Sequence, residues 1–357
     1  MEHPTWHNVH PDFRLNDIPL NFEGLPKIGQ NLIKGGKPFE KSIGDFLLDW
    51  ASDESTIKVH TSGSTGKPKT IVLKKKQMVN SALATGTYFE LEPKHKALLC
   101  LPCAGIAGKM MLVRAMVLGL HLDYVEPSST PLSNTNKTYD FVAMVPLQAQ
   151  NSLKVLVRIN KLIIGGAPVD SSLRSKLKTL TVEAYETYGM TETITHIAVK
   201  RITDDSVNSF ETLPHVFVSQ DDRECLVIDA PKISDEKIVT NDLVELVSNT
   251  KFKWLGRYDS IINSGGIKLV PETIEEKLSS VIQSRFFVAG MPDETLGQKL
   301  VLVVEGDSTD AQELHRAVKE LKTLSKYELP KEVYFVKAFS ETETKKINRQ
   351  KTIQQIA

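Results

Sequence analysis

A run of glycine, hydroxyl and lysine residues suggests chemistry most directly in this sequence. It spans residues 60–70, HTSGSTGKPKT, directly after the strand-like segment IKV. Glycines let the backbone direct successive N–H groups at one anion, and hydroxyls and lysines add donors and positive charge. A polyphosphate suits such a loop, although composition alone also allows an ordinary Ser/Gly linker. It is not a Walker A loop, because only two residues separate Gly63 from Gly66.

A second polar motif, Tyr-Gly-Met-Thr-Glu, occupies residues 188–192. By itself it could be merely the end of a strand. Its chemistry nevertheless suits a nucleotide, because it combines an aromatic face for adenine, a hydroxyl for a phosphate oxygen and a carboxylate for Mg²⁺.

These motifs and several others resemble, in order and spacing, those of the adenylate-forming superfamily of acyl-CoA synthetases, luciferases and peptide-synthetase adenylation domains. The loop matches the superfamily's signature TSGSTGKPK, and Gly-Gly-Ala-Pro at residues 165–168 resembles its adenine-side turn. The resemblance implies that ATP binds with Mg²⁺, that Thr191 and Glu192 are catalytic, and that Glu192 contacts the metal. The other nucleotide-binding residues it implies in this region are Thr61, Ser62, Gly63, Ser64, Thr65, Gly66, Lys69, Gly166, Ala167, Pro168, Tyr188 and Gly189.

Further matches lie between residues 240 and 275. Thr-Asn-Asp at 240–242 resembles the superfamily's T-G-D, which implies that Asp242 binds the ribose, and Asn241 departs from the usual glycine. Gly-Arg-Tyr-Asp at 256–259 resembles its G-R-x-D hinge. The match implies that Arg257 contributes to the nucleotide site and that Asp259 is the hinge residue. In the glycine turn that follows, Gly265 and Gly266 are expected to line the path of CoA.

The last match places the adenylation lysine at Lys346. Residues 342–349, TETKKINR, align with T-x-x-G-K-I-x-R, and Lys345 stands where glycine is usual. A solvated basic tail is the alternative. A mobile ammonium here would neutralise charge on the α-phosphate as the carboxylate attacks.

The segment after Leu101-Pro102 concerns the acyl group. Gly105 stands where many relatives carry a histidine, and the following KMMLVR resembles 2-succinylbenzoate–CoA ligases of menaquinone biosynthesis. Lys109 or Arg114 would then help to hold the second carboxylate of a dicarboxylic acid. The alternative is a core helix in which both cations extend to the solvent.

The resemblance implies a reaction in two halves. A carboxylate attacks the α-phosphate of Mg-ATP to form an acyl-adenylate and pyrophosphate, and the thiol of CoA then displaces AMP. The predicted substrate is 2-succinylbenzoate. The alternatives are a CoA ligase for another aryl or short-chain acid and a nucleotide-binding relative without catalysis, suggested by the three departures from the family pattern.

The elements that must position these residues alternate between strands and helices. Strand-like segments such as YDFVAMVP and KLIIGG alternate with helix-like ones such as KKQMVNSALATGTYF. This pattern predicts an α/β fold whose large N-terminal domain has mixed, mainly parallel sheets. An antiparallel extension is predicted after about residue 210. The predicted domains are 1–258, which binds ATP and the acyl substrate, and a small mobile α+β domain, 259–357, which carries Lys346.

Composition constrains the partners. The 357 residues include 44 basic and 44 acidic side chains, which favours neither nucleic acid nor anionic lipid. The polar N-terminus lacks a signal-peptide pattern, and the apolar stretch 97–122 is interrupted by charges, so we predict a cytoplasmic protein without membrane insertion. The pair Cys100 and Cys103 could indicate a redox or zinc site, but burial in an apolar run is favoured. The sequence does not predict the oligomeric state.

Overall fold

A computed structural model describes residues 5–61, 69–204, 206–307, 311–341 and 347–356. The chain contacts divide into two compact units. The first contains the described residues up to Ser219, together with Val227–Ile238 and Leu246–Lys253. The second contains Gln220–Leu226, Val239–Glu245 and the described residues from Trp254 onward.

The first unit alternates strands with helices, as the sequence pattern predicts. Its helices are α1 (Leu25–Gly35), α2 (Pro38–Ala51), α3 (Lys75–Phe89), α4 (Ile106–Leu118), α5 (Pro146–Ser152) and α6 (Ser171–Lys178). Its strands are β1 (Arg14–Leu15), β2 (Ile18–Pro19), β3 (Thr56–Thr61), β4 (Lys69–Lys74), β5 (Lys96–Leu99), β6 (His121–Tyr124), β7 (Tyr139–Met144), β8 (Ile159–Ile164), β9 (Glu183–Gly189), β10 (His196–Arg201) and β11 (Phe210–Thr212).

One sheet carries most of these strands, in the order β2-β1-β6-β5-β7-β8-β9-β10-β11. The pairs from β1 to β9 are parallel, whereas β10 and β11 pair antiparallel. The apolar strands β7 and β8 are buried, as parallel strands covered by helices on both faces usually are. The predicted α/β class and the antiparallel extension are confirmed. The predicted parallel sheets are a single sheet here, with β3 and β4 forming a separate hairpin.

Helix α2 shows how the local sequence specifies where a helix begins and which face it buries. Pro38 begins the helix, where its missing N–H costs no hydrogen bond. The Glu40 carboxylate accepts a 2.7 Å hydrogen bond from the Lys37 N–H at the N-terminus. Ile43, Phe46, Leu47 and Trp50 recur at helical spacing and are buried together.

The second unit is a small α+β structure. Its helices are α7 (Pro271–Leu278), α8 (Ala311–Glu320) and α9 (Arg349–Ile353). Its strands are β16 (Ile262–Ser264), β17 (Ile267–Leu269), β18 (Phe286–Asp293), β19 (Gly297–Glu305) and β20 (Glu332–Val336), and they form one sheet. β20 pairs parallel to β19, and the other pairs are antiparallel.

Four strands have residues near or across the division between the units. They are β12 (Phe217–Gln220), β13 (Cys225–Asp229), β14 (Ile238–Ser248) and β15 (Lys251–Arg257). Within the first unit, Phe210 of β11 lies opposite Phe252 of β15. The predicted domain boundary at residue 258 and the mobility of the C-terminal domain remain predictions.

No helix in the described part of the chain combines the length and apolar character that crossing a membrane requires.

Candidate active site

The predicted phosphate-binding loop connects two paired strands. β3 and β4 form an antiparallel hairpin in which Thr61 lies opposite Lys69 and His60 lies opposite Thr70. The Thr70 hydroxyl and His60 Nδ1 are 3.1 Å apart. Residues 62–68 lie outside the described part of the chain. The roles of five loop residues therefore remain predictions, namely Ser62, Gly63, Ser64, Thr65 and Gly66.

The turn after β8 contains the predicted adenine-side motif. The Gly165 N–H donates a 3.1 Å hydrogen bond to the Met144 carbonyl, which holds the turn to the end of β7. Gly166 has a φ of +83°, which glycine adopts without steric cost. A Cβ at Gly165 would lie 2.3 Å from Oγ1 of Thr187 on β9. The backbone therefore requires both glycines, and it leaves Gly166, Ala167 and Pro168 exposed.

The ring of Tyr188 packs against two phenylalanines near the end of β9. Phe210 and Phe252 stack on each other with ring centroids 5.6 Å apart. Tyr188 meets both rings edge-on, at 5.2 Å from Phe252 and 6.0 Å from Phe210. Tyr188 is half-buried. The packing fixes the ring and leaves part of it available to a base.

The loop after Gly189 depends on a residue that the sequence analysis did not identify. The hydroxyl of fully buried Thr193 accepts a 2.9 Å hydrogen bond from the Met190 N–H and donates to the Thr195 carbonyl at 2.7 Å. Ile194 has a φ of +66°, which is strained for a β-branched residue. Thr193 was overlooked because nothing in a threonine-rich segment distinguishes a buried hydroxyl from an exposed one.

Glu192 is the carboxylate predicted to contact Mg²⁺, and it is exposed on this loop next to half-buried Thr191. Within the described ranges, no group of three or more histidine, cysteine, aspartate or glutamate side chains could hold a metal ion. Mg²⁺ that accompanies a nucleotide usually takes one or two carboxylates and completes its shell with phosphate oxygens and water. A single accessible carboxylate therefore fits an ion that arrives with ATP.

Arg114 is a buried cation whose hydrogen-bond partners are all neutral. It is 1% exposed, and it lies 3.3 Å from Oγ1 of Thr85, Oγ1 of Thr195 and Nδ1 of His196. Burial lowers the pKa of Arg114 to about 9. Within the described residues it forms no ion pair with a carboxylate. The alternative in which Arg114 extends to the solvent is wrong, because α4 buries this face against α3 and β10.

His196, beside Arg114, has a ring nitrogen without a hydrogen-bond partner in the described residues. Burial and the neighbouring guanidinium lower the pKa of His196 well below its usual value, so the ring is neutral. Arginine only donates, so Nδ1 accepts and the proton lies on Nε2. His196 Nε2 is buried without a hydrogen-bond partner in the described residues. At the start of β10, the guanidinium of Arg114 and His196 Nε2–H thus have no negatively charged acceptor among the residues that the structure describes.

Lys109, the other candidate cation, lies on a different side of α4. Lys109 and Arg114 are five positions apart in the helix, which places the two side chains about 140° apart around the axis. Lys109 Nζ lies 5.0 Å from the ring centroid of Phe46 on α2, and burial lowers the pKa of Lys109. At Gly105, a Cβ would have its nearest neighbour, the Pro102 carbonyl, at 3.6 Å, so the missing histidine leaves space. The structure does not bring the two cations together.

The C-x-x-C pair is buried, as the sequence analysis favoured. Cys100 and Cys103 are 0% and 2% exposed, and burial raises the pKa of each thiol to about 12. Cys100 Sγ lies 3.3 Å from the Ala143 carbonyl. Neither thiol has the lowered pKa that redox or metal chemistry requires.

In the second unit, Arg257 connects the predicted ribose-binding residue to the predicted hinge residue. Its guanidinium lies 3.5 Å from an oxygen of buried Asp242 and donates to both oxygens of Asp259, at 3.0 and 3.2 Å. The Trp254 indole donates to Asp242 at 3.2 Å. Asn241, which departs from the family's glycine, accepts a 2.9 Å hydrogen bond from Arg223. Asn241 therefore has a structural partner of its own, and Asp242 remains in place.

The turn predicted to line the CoA path connects β16 to β17. Gly265 and Gly266 have φ values of +57° and +81°, which glycine adopts readily. The predicted catalytic residue Lys346 lies outside the described part of the chain.

Three positions later in the sequence, Arg349 donates a 2.8 Å ion-paired hydrogen bond to Glu275 of α7.

Comparison with known proteins identifies the family. Residues 49–229 match the AMP-binding enzyme family. A 2-succinylbenzoate–CoA ligase from a strain of Bacillus cereus is 24% identical over 381 residues, covering 95% of this chain and 76% of the relative.

Two solved structures are similar. An acyl-CoA synthetase (AMP-forming)/AMP-acid ligase II-like protein from Dyadobacter fermentans is 37% identical, with a TM-score of 0.62 over 93% of this chain and 98% of that one. The o-succinylbenzoate CoA synthetase from Bacillus subtilis, in complex with the acyl-adenylate intermediate, is 20% identical, with a TM-score of 0.72 over 82% of this chain and 68% of that one. This second likeness shows the fold. The chain belongs to the AMP-binding enzyme family and is an adenylate-forming acid–CoA ligase.

Proposed function

We propose that this enzyme activates 2-succinylbenzoate with ATP and transfers it to CoA. The name of the Bacillus cereus relative suggests this acid. The observation that carries the proposal is the buried guanidinium of Arg114, which has neutral partners and donates to Thr195 at the end of the loop 189–195. A dicarboxylic acid brings a second negative charge that a fatty acid lacks, and a buried cation that has no counter-ion within the described residues would favour that charge.

The second carboxylate of the acid would approach Arg114 through Thr195. Thr195 is half-buried, whereas Thr85 and His196 are almost completely buried, so Thr195 is the most exposed of these three partners. The carboxylate would replace the neutral hydroxyl as acceptor for Arg114 Nη2, and His196 Nε2–H offers a further donor. An anion there would offset the cost of burying the guanidinium.

The other carboxylate of the acid would attack the α-phosphate of ATP. The new bond joins a carboxylate oxygen to the α-phosphorus, and pyrophosphate leaves with the electron pair of the broken P–O bond. Thr191 would contact a phosphate oxygen, Glu192 would bind Mg²⁺, and Lys346 would stabilise the charge that develops on the phosphate. Mg²⁺ would neutralise phosphate charge during this step.

The thioester-forming half would need a different approach to the same acyl group. The sulfur of CoA bonds to the acyl carbonyl carbon as the thiol loses its proton to the solvent. The bond from that carbon to the phosphate oxygen then breaks, and AMP leaves with its electron pair. Gly265 and Gly266 present no side chains at the turn predicted for the pantetheine arm. We infer that residues from 259 onward, with Asp259 as the hinge, reorient between the two halves.

A panel of acids tests the substrate. Purified enzyme would be supplied with Mg-ATP, CoA and one acid at a time, with pyrophosphate and the CoA thioester both measured. We expect the highest kcat/KM with 2-succinylbenzoate. The matched control is 4-oxo-4-phenylbutanoate, which keeps the aliphatic carboxylate and lacks the aromatic one. Equal or better turnover of the control, or of another aryl or short-chain acid, would refute the assignment.

A further inference from the structure

Glu186 is a buried carboxylate on β9. It connects the turn Gly166–Pro168 with the packing of the Tyr188 ring, the two groups predicted to contact adenine. Its side chain is 10% exposed, and it lies opposite Ile164 at the end of β8 and opposite Lys200 of β10. The sequence analysis assigned no role to this residue. Its contacts extend in two directions. One set reaches the turn after β8, and the other reaches the aromatic cluster formed by Tyr188, Phe210 and Phe252.

The first set of contacts holds the turn. Oε1 of Glu186 accepts a 3.1 Å hydrogen bond from the N–H of Val169, the residue directly after the Gly166–Pro168 motif. Oε2 accepts a 2.8 Å charged hydrogen bond from Arg174 of α6. Arg174 in turn donates to the Val169 carbonyl at 3.4 Å. The Glu186–Arg174 pair therefore satisfies both backbone groups of Val169.

The second set of contacts reaches the aromatic cluster. Lys200 Nζ lies 3.0 Å from Oε2 of Glu186 and 4.7 Å from the ring centroid of Phe210. Phe210 is one of the two rings against which Tyr188 packs. The position of Lys200 over that ring thus depends on the same carboxylate that holds Val169.

Glu186 is charged in this arrangement. Burial alone would favour the neutral acid, but the attraction of Lys200 and Arg174 and the hydrogen bonds from Arg174 and Val169 outweigh it, so the pKa of Glu186 is below its usual value. One carboxylate between two cations is the only negative charge among these contacts. Its loss would leave two positive groups facing each other, and a local rearrangement would follow.

We propose that Glu186 is a positioning residue that sets the turn Gly166–Pro168 and the Tyr188 ring at the spacing required by the adenine of ATP. The inference rests on the proposed assignment of these two groups to the nucleotide site. Glu186 itself does not contact the nucleotide. If the ion pairs of Glu186 were only structural, their loss would lower the stability of the fold without selectively weakening the affinity for ATP.

The test measures the affinity for ATP directly. Glu186→Gln keeps the size of the side chain and removes the charge, and Glu183→Gln is the matched control. Glu183 is the first residue of β9, three positions before Glu186, and its carboxylate accepts a hydrogen bond from Tyr185 and pairs with Arg201. Calorimetric titration with ATP, without acid or CoA, should show a Kd raised about tenfold in E186Q and unchanged in E183Q. In the adenylation half, E186Q should raise KM for ATP more than it lowers kcat.

Wild-type affinity for ATP in E186Q, or an equal loss of affinity in E183Q, would overturn the proposal. If E186Q does not fold, Arg174→Met decides the matter, because Lys200 still neutralises the carboxylate while Val169 loses one partner. A Kd raised about threefold in R174M supports the role, and an unchanged Kd overturns it. A wild-type enzyme that binds ATP but does not activate 2-succinylbenzoate would refute the proposed substrate and leave this test intact.

Discussion

Replacing Arg114 by methionine separates the stability of the fold from the recognition of the substrate. Methionine has a similar length and no charge, so the variant removes a cation whose partners within the described residues are neutral. Burial lowers the pKa of Arg114 from 12.5 to about 9, which corresponds to a cost of about 5 kcal/mol for keeping the guanidinium charged. The folded-state pKa is the lower one, so this cost is fully present below pH ~9.

Removing the buried charge relieves this cost, but the variant also loses the hydrogen bonds that Arg114 makes. Thr85, Thr195 and His196 each lose a donor in the variant, at a combined cost of about 1–3 kcal/mol. The Thr85 hydroxyl keeps its 3.0 Å hydrogen bond to the Ser81 carbonyl, so its loss is small. We therefore expect the free energy of unfolding of R114M to be higher than that of the wild type by about 2–4 kcal/mol.

Urea denaturation at pH 7.5, followed by circular dichroism, measures this difference. Lys109→Met is the matched control, because it removes a half-buried cation from another side of the same helix. The same titrations with added acid measure recognition. 2-Succinylbenzoate should stabilise the wild type and K109M more than R114M, whereas 4-oxo-4-phenylbutanoate should affect all three alike. If the free energy of unfolding of R114M without ligand is more than about 2 kcal/mol below that of the wild type, then other groups compensate the buried charge of Arg114 and the reasoning is refuted.

The other predictions concern the remaining site residues and one buried carboxylate. Lys346→Ala should slow pyrophosphate exchange about a hundredfold and leave thioester formation from supplied acyl-adenylate nearly unchanged, and equal losses in both halves would contradict its role. Glu192→Gln should raise the Mg²⁺ concentration required for half-maximal adenylation, so an unaltered Mg²⁺ titration would make Glu192 structural. Asp259→Pro fixes φ at the hinge and should slow transfer to CoA at least about tenfold while pyrophosphate is still released, and normal rates in both halves would remove Asp259 from the mechanism. Burial, opposed by Arg349, raises the pKa of Glu275 from 4.5 to about 7, so the folded state binds more protons than the unfolded state between these pH values. The free energy of unfolding should therefore fall as pH rises through this range, by at most about 3 kcal/mol, and Glu275→Gln should reduce that slope in urea denaturation at pH 5 to 8. An identical slope in the variant would contradict this origin.

The local sequence determined much of the fold. The sequence pattern predicted the helix α3 and the buried strands β7 and β8, because burial of one face or both faces imposes a characteristic spacing. The glycines at 165 and 166 mark a turn that the backbone geometry requires. Such features depend on residues close together in the chain, and for this reason a motif can be recognised without knowledge of the rest of the molecule.

Tertiary structure alone decided which cation of α4 is buried against Thr195 and which carboxylate of β9 lies between two cations. Sequence reasoning did not distinguish Lys109 from Arg114, and only the packing of α4 buries Arg114 against Thr85 and Thr195. Nothing in the local sequence distinguishes Glu186 from other polar residues in strands. Its pairing with Lys200 of β10 and Arg174 of α6 is visible only in the folded chain. Contacts of this kind join residues far apart in the chain. They depend on strand register and helix packing, which the local sequence does not specify.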